Sequence, residues 1–150
     1  MKNITLLVIL LLSLHVAAQS EEMAVQKTIE AFFDGFHKQD SIIMKQTVSE
    51  EPILQTIGKN KEGETLVRTE KFEKLIKSIV SIPDSVKFQE KLLSFNIQID
   101  GAMANAWTPY EFWLNDKFHH CGVNSFQLFN DGSGWKIIYL IDTRRREGCQ

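Results

Sequence analysis

The stretch 101–146 constrains this chain most, because three apolar runs follow one another there with tight turn signals between them. A fourth run leads in: Leu93, Phe95, Ile97 and Ile99 alternate with Ser94, Asn96 and Gln98, the period-two signature of a half-buried strand. Asp100-Gly101 supplies a two-residue hairpin turn, which pairs Ile97 with Ala104 and Phe95 with Ala106. Asn115-Asp116-Lys117 then folds residues 102–114 against 118–129, and Asn130-Asp131-Gly132-Ser133-Gly134 folds that strand against 135–142. The pattern demands an antiparallel meander.

If these hairpins close symmetrically, residues of one parity share one face. That face carries Leu93, Phe95, Ile97, Ile99, Ala104, Ala106, Tyr110, Phe112, Phe126, Leu128, Ile138 and Leu140, and becomes polar at one end with Tyr110, His120, Asn124 and Asp142. The opposite face mixes polar and aromatic groups: Asn105, Trp107, Glu111, Trp113, His119, Cys121, Ser125, Gln127, Trp135, Ile137 and Tyr139. A single bulge would exchange the two sets partway along.

Upstream, residues 21–40 read as an amphipathic helix, with Val25, Ile29, Phe32, Phe33 and Phe36 on one side and Ser20 as its cap. Residues 41–48 read as a second short helix. A small hairpin, 52–57 with 62–67, turns at 58–61. Thr69 is expected to cap a third helix over 70–80, which Ile82-Pro83-Asp84 ends. Two helices, a hairpin, a helix and a meander make an α+β chain with its helices gathered on one sheet face.

Residues 1–18 read as a signal peptide and not as part of the fold. Lys2 is the positive start, residues 4–14 are apolar except for Thr5 and Ser13, and Val16-Ala17-Ala18 offers small residues for cleavage. The run is too short for a spanning helix. Cleavage near Ala18 would release one domain, 19–150, to the periplasm or the exterior with no stable membrane span. A composition of 43% hydrophobic and 24% charged residues suits one globular domain, and a net charge of -2 without a basic stripe excludes nucleic acid as a natural partner.

Export changes the reading of Cys121 and Cys149. In an oxidising compartment an even pair is more often a disulfide than a reactive thiol, and Gly148 lets the tail turn back; the alternative is a buried strand thiol and a free tail thiol. Strand neighbours point to opposite faces, which argues against Cys121 as a nucleophile beside His120 and against a metal site of His119, His120 and Cys121. No metal and no cofactor is expected.

The helix-first order, the curved meander and the closing run Gly134-Trp135-Lys136-Ile137-Ile138 resemble the nuclear transport factor 2-like superfamily, which includes SnoaL-like proteins. More narrowly, 107–112 (WTPYEF), 120–126 (HCGVNSF) and 142–145 (DTRR) resemble exported bacterial members of its lumazine-binding-like group. The resemblance implies a cone-shaped curved antiparallel sheet, a half-barrel, with about three N-terminal helices on its concave face. It also implies a pocket in the cone, used for small-molecule binding or for isomerase, dehydratase or cyclase chemistry, and dimerisation through the outer sheet face.

From the residues, the expected ligand contacts are Tyr110, His120, Asn124 and Asp142 at the polar lip with Phe32, Phe36, Phe112 and Phe126 below. Acid–base chemistry in such a cone needs a carboxylate or imidazole poised by apolar surroundings; Asp142 as base with His120 as partner is the candidate pair. The opposing reading makes Asp142, Arg144 and Arg145 a surface ion-pair cluster and the other polar groups a satisfied closure of the barrel mouth. Binding of an unknown small molecule without chemistry is favoured over catalysis. Trp107, Trp113, Trp135 and Tyr139 would form the outer face for a homodimer or another exported protein; Arg144, Arg145 and Arg146 could bind an acidic group, although three basic residues in a tail more often form a solvated end.

Overall fold

Val25, Ile29, Phe32 and Phe33 are the buried side of helix α1 (Lys2–His37). The structure is a computed structural model that describes residues 2–149, with side chains from residue 19 onward. The leader reading of residues 1–18 lies outside the described side chains. Ser20 is no cap, because the helix passes through it unbroken. Gly35 lets α2 (Ser41–Gln46) come close, since a Cβ there would lie 2.9 Å from the Met44 nitrogen. Asp40 caps α2, accepting from the Ile42 and Ile43 amides.

Strands β1 (Val48–Lys59) and β2 (Thr65–Lys71) form the expected hairpin, turning over 60–64. Helix α3 (Phe72–Val80) follows directly, with Phe72, Ile76 and Ile79 buried. Its N-cap is Lys71, without a side-chain cap bond, and Thr69 pairs inside β2 instead. Then come β3 (Phe88–Leu92), β4 (Asn96–Asp100), β5 (Met103–Leu114), β6 (Lys117–Asn130) and β7 (Trp135–Thr143). They make one curved, unclosed sheet in the order β2-β1-β7-β6-β5-β3, with β4 also on β5. Beyond the antiparallel meander, β1 runs parallel to β7, so the sheet is mixed.

Local chemistry accounts for the details. Asn115 and Asp116 both take positive φ, 50° and 61°, so the turn before β6 has two residues rather than three. Gly101, at φ 58°, opens a turn that pairs Asp100 with Met103, so Ile97 meets Ala106 and Ile99 meets Ala104; the slip of two residues preserves the face. Leu93 falls in the connector and is exposed. Pro109 explains the gap between β3 and β4: its carbonyl accepts from the Leu93 amide, but it has no N–H to return on that edge.

Two bulges re-aim side chains. Between β6 and β7 the extra residue is Ile138, so Ile137 is fully buried and Ile138 exposed, the reverse of strict alternation. Trp135 is likewise buried and not on the outer face, its indole donating to Glu21 at 3.0 Å. Between β5 and β6 the extra residue is His119. Under α1, Ala104 and Ala106 leave room for the helix beside Phe126, Leu128 and Ile137. Each of the larger apolar side chains in that layer contributes about 1.5–3 kcal/mol by leaving water.

Candidate functional site

A cavity of about 350 Å³ lies between α1, α3 and the polar end of the sheet. Phe32, Phe33 and Phe36 supply one wall, Leu75 and Ile79 of α3 another, and Leu140 and Phe112 the floor. Phe36 packs edge-on against Phe88 at 5.1 Å, which fixes its ring. Of the expected contacts, Phe32, Phe36, Phe112, His120, Asn124 and Asp142 line this cavity. Phe126 does not; it is fully buried beneath, 6.3 Å from Phe33 between ring centroids. Tyr110 stands behind the wall, buried, with its hydroxyl directed at Asp142.

The polar groups come from rows of the sheet. Thr108, Asn124, Asp142 and Thr56 are successive cross-strand partners on β5, β6, β7 and β1, and Glu90, Phe112 and His120 form a second row. Asp142 accepts from Thr56 Oγ1 at 2.5 Å, Tyr110 Oη at 3.2 Å and Arg144 Nε at 2.8 Å. Three donors occupy its two oxygens, so it is an anchor that holds β1, β5 and the tail together. Tyr110 also donates to the Thr143 carbonyl at 2.9 Å. Gly122, its partner across the ladder, permits this: a Cβ there would sit 2.8 Å from Tyr110 Cε1 and overlap the Thr143 carbonyl oxygen. Burial raises the Tyr110 phenol further above its ordinary range, and the neighbouring Glu90 and Asp142 add to this, so it serves only as a donor.

No hydrogen bond joins His120 to Asp142 among the described residues. His120 stacks on Phe112 at 4.9 Å and its Nδ1 lies 2.8 Å from His119 Nδ1. The bulge turns His119 from the outer face to the cavity, which strict alternation forbids. Burial, then the Arg144 charge and His119, press the His120 pKa down to about 4. It is a neutral imidazole near pH 7.

Sequence reasoning missed Glu90. Its carboxylate accepts from Asn124 Nδ2 at 2.7 Å, inside the cavity. Burial pushes its pKa up to about 7, opposed by the Asn124 bond and helped by the Asp142 charge. The strand is held from behind, where the Glu90 amide donates to His37 Nε2 at 2.9 Å. Burial also lowers the His37 pKa, keeping that ring an acceptor. The available signal was the alternation Phe88, Glu90, Leu92 on one face of β3, masked by a charge at its centre. Thr108 is fully buried and its Oγ1 has no hydrogen-bond partner.

The cysteines are bonded, Cys121 to Cys149, with their Cα atoms 5.8 Å apart. Cys121 also exchanges both backbone bonds with Arg145, at 2.9 Å each, so the tail is laid along β6. Among the described residues no cluster of three His, Cys, Asp or Glu is placed to hold a metal, and no helix is long and apolar enough to cross a membrane.

No protein-family model and no curated protein matches the chain. Solved structures do. An NTF2-like protein with a cystatin-like fold from Novosphingobium aromaticivorans superposes with a TM-score of 0.69 at 13% identity, over 91% of this chain and 89% of that one. An NTF2-like protein from Cytophaga hutchinsonii gives 0.66 at 11% identity, over 83% and 98%. One of unknown function from Shewanella baltica gives 0.62 at 15% identity, over 85% and 96%. Helices against a curved, unclosed sheet, superposed nearly end to end on these proteins, give this chain the nuclear transport factor 2-like fold.

Proposed function

We propose that this is an exported small-molecule-binding protein whose ligand occupies the cavity between α1, α3 and the sheet. One observation carries the reading: the Glu90 carboxylate is paired with Asn124 at 2.7 Å inside an aromatic-walled cavity, where burial pushes its pKa up to about 7. Burying such a group costs stability, which marks a perturbed carboxyl in a cleft as a functional candidate, and an apolar hollow with a few convergent polar groups is the usual form of a ligand site. The leader pattern of residues 1–18 and the Cys121–Cys149 bond support export. Native mass spectrometry of protein purified from its own host is expected to reveal a retained small molecule, absent from a Leu140→Trp variant that fills the cavity. A molecule retained equally by both forms would place the site elsewhere and end the proposal.

The same observation favours acid–base chemistry as the second reading, with Glu90 as the titrating group in place of Asp142. A carboxyl that titrates near neutral pH both takes and returns a proton efficiently, and Tyr110, through Asp142, and Asn124 would hold the polar network around it. Any isomerase or dehydratase turnover found should then vanish in Glu90→Gln and follow a single ionisation near pH 7. Turnover unaffected by that substitution would remove the assignment.

A further inference from the structure

The cavity shares its polar lip with a neighbour. His119, His120 and Arg144 line both it and a second, outer basin of about 760 Å³, whose other walls include Lys59, Arg145 and Arg146. Arg144 is neutralised by Asp142 at 2.8 Å. Among the described residues Lys59, Arg145 and Arg146 take part in no ion pair, and Glu147 is the only acidic residue lining the basin. Arg145 donates to the Glu147 and Gly148 carbonyls, neutral acceptors that fix the guanidinium without cancelling its charge. In a chain whose net charge is -2, the described residues thus concentrate positive charge outside ion pairs in the basin beside the aromatic cavity.

This outer wall is built, not a loose end. The Cys121–Cys149 bond and the paired backbone of Cys121 and Arg145 hold the arginine-bearing turn against β6. An aromatic-walled cavity adjoining a fixed cationic basin has the shape of a two-part recognition site: the inner part takes a body, the outer part an anion. Resting on the binding function proposed above, we infer that the ligand is an amphipathic acid, with an aromatic or compact apolar body in the inner cavity and a carboxylate, sulfonate or phosphate in the outer basin. Glu90, bonded to Asn124 inside the cavity, is then placed to meet a neutral donor or acceptor on the body.

Two dyes of almost identical body test this, 8-anilinonaphthalene-1-sulfonate and its neutral counterpart N-phenyl-1-naphthylamine, titrated into the intact disulfide-bonded protein by fluorescence. The sulfonate is expected to bind at least about ten-fold more tightly at low ionic strength, with the gap closing in about 1 M salt as the charges are screened. The double variant Arg145→Gln, Arg146→Gln, with a near-ultraviolet circular dichroism spectrum matching the parent, should bring the sulfonate down to the affinity of the neutral dye. Equal affinities in the parent, or a preference that survives the double variant, would overturn the inference while leaving the cavity as a binding site. Sulfonate binding that persists in Leu140→Trp would also overturn it, since the body would then lie outside the cavity. Failure of both dyes to bind would remove the binding function as well.

Discussion

Glu90 titrates near 7 in the folded chain and near 4.5 when unfolded, so between those values the folded form holds more protons and stability falls as pH rises. Glu90→Gln should therefore raise unfolding free energy by on the order of 2–3 kcal/mol at about pH 8 and leave it unchanged at about pH 4, measured by urea titration. His120 acts in the opposite sense: its folded pKa lies near 4, below the unfolded 6.5, so its contribution is present above 6.5 and is lost as pH falls towards 4. Thr108→Val removes a buried hydroxyl with no partner and should stabilise by about 1 kcal/mol in the same assay; a loss would mean that the hydroxyl is satisfied. Gly122→Ala should cost about 3 kcal/mol or more, because Tyr110 and the Thr143 carbonyl already fill the space of a Cβ. At this scale the sequence was only partly legible. Alternation led directly to Tyr110, Asn124 and Asp142, but Glu90 sits in a five-residue strand whose centre is charged, where apolar periodicity carries no signal.

At the scale of elements, strands and helices were legible where their faces were strongly segregated, as in α1, α3 and the β4–β5–β6 meander. The bulges were not. A bulge is one unpaired residue, and nothing in Trp135-Lys136-Ile137-Ile138-Tyr139 says which isoleucine is extra; the packing of Ile137 beneath α1 decides it. The parallel pairing of β1 with β7 was also hidden, because Pro52 and the irregular register between Val48 and Ile53 break the pattern of β1. The disulfide clamps the tail to β6 across a sequence separation of 28. Reducing it should lower stability by about 3–4 kcal/mol on the chain-entropy estimate, read as a shift in the urea midpoint with and without reductant. An unchanged midpoint would mean that the tail contributes nothing to the folded state.

For the molecule as a whole, the outer sheet face leaves Ile53, Val67 and Trp107 more than half exposed, while Lys91 lies over Trp113 at 4.0 Å and Tyr139 donates to Gln55. We propose that a second copy covers this face. Sedimentation equilibrium should give a dimer that Ile53→Glu converts to monomer, and a parent chain monomeric at high concentration would refute the arrangement. The pairing of the first strand with the last has a further consequence in time. As the chain emerges from the ribosome, β1 cannot complete its pairing with its parallel neighbour until residues 137–143 have been made, and contacts of such long sequence separation form late. The N-terminal third therefore waits, unclosed, through most of translation.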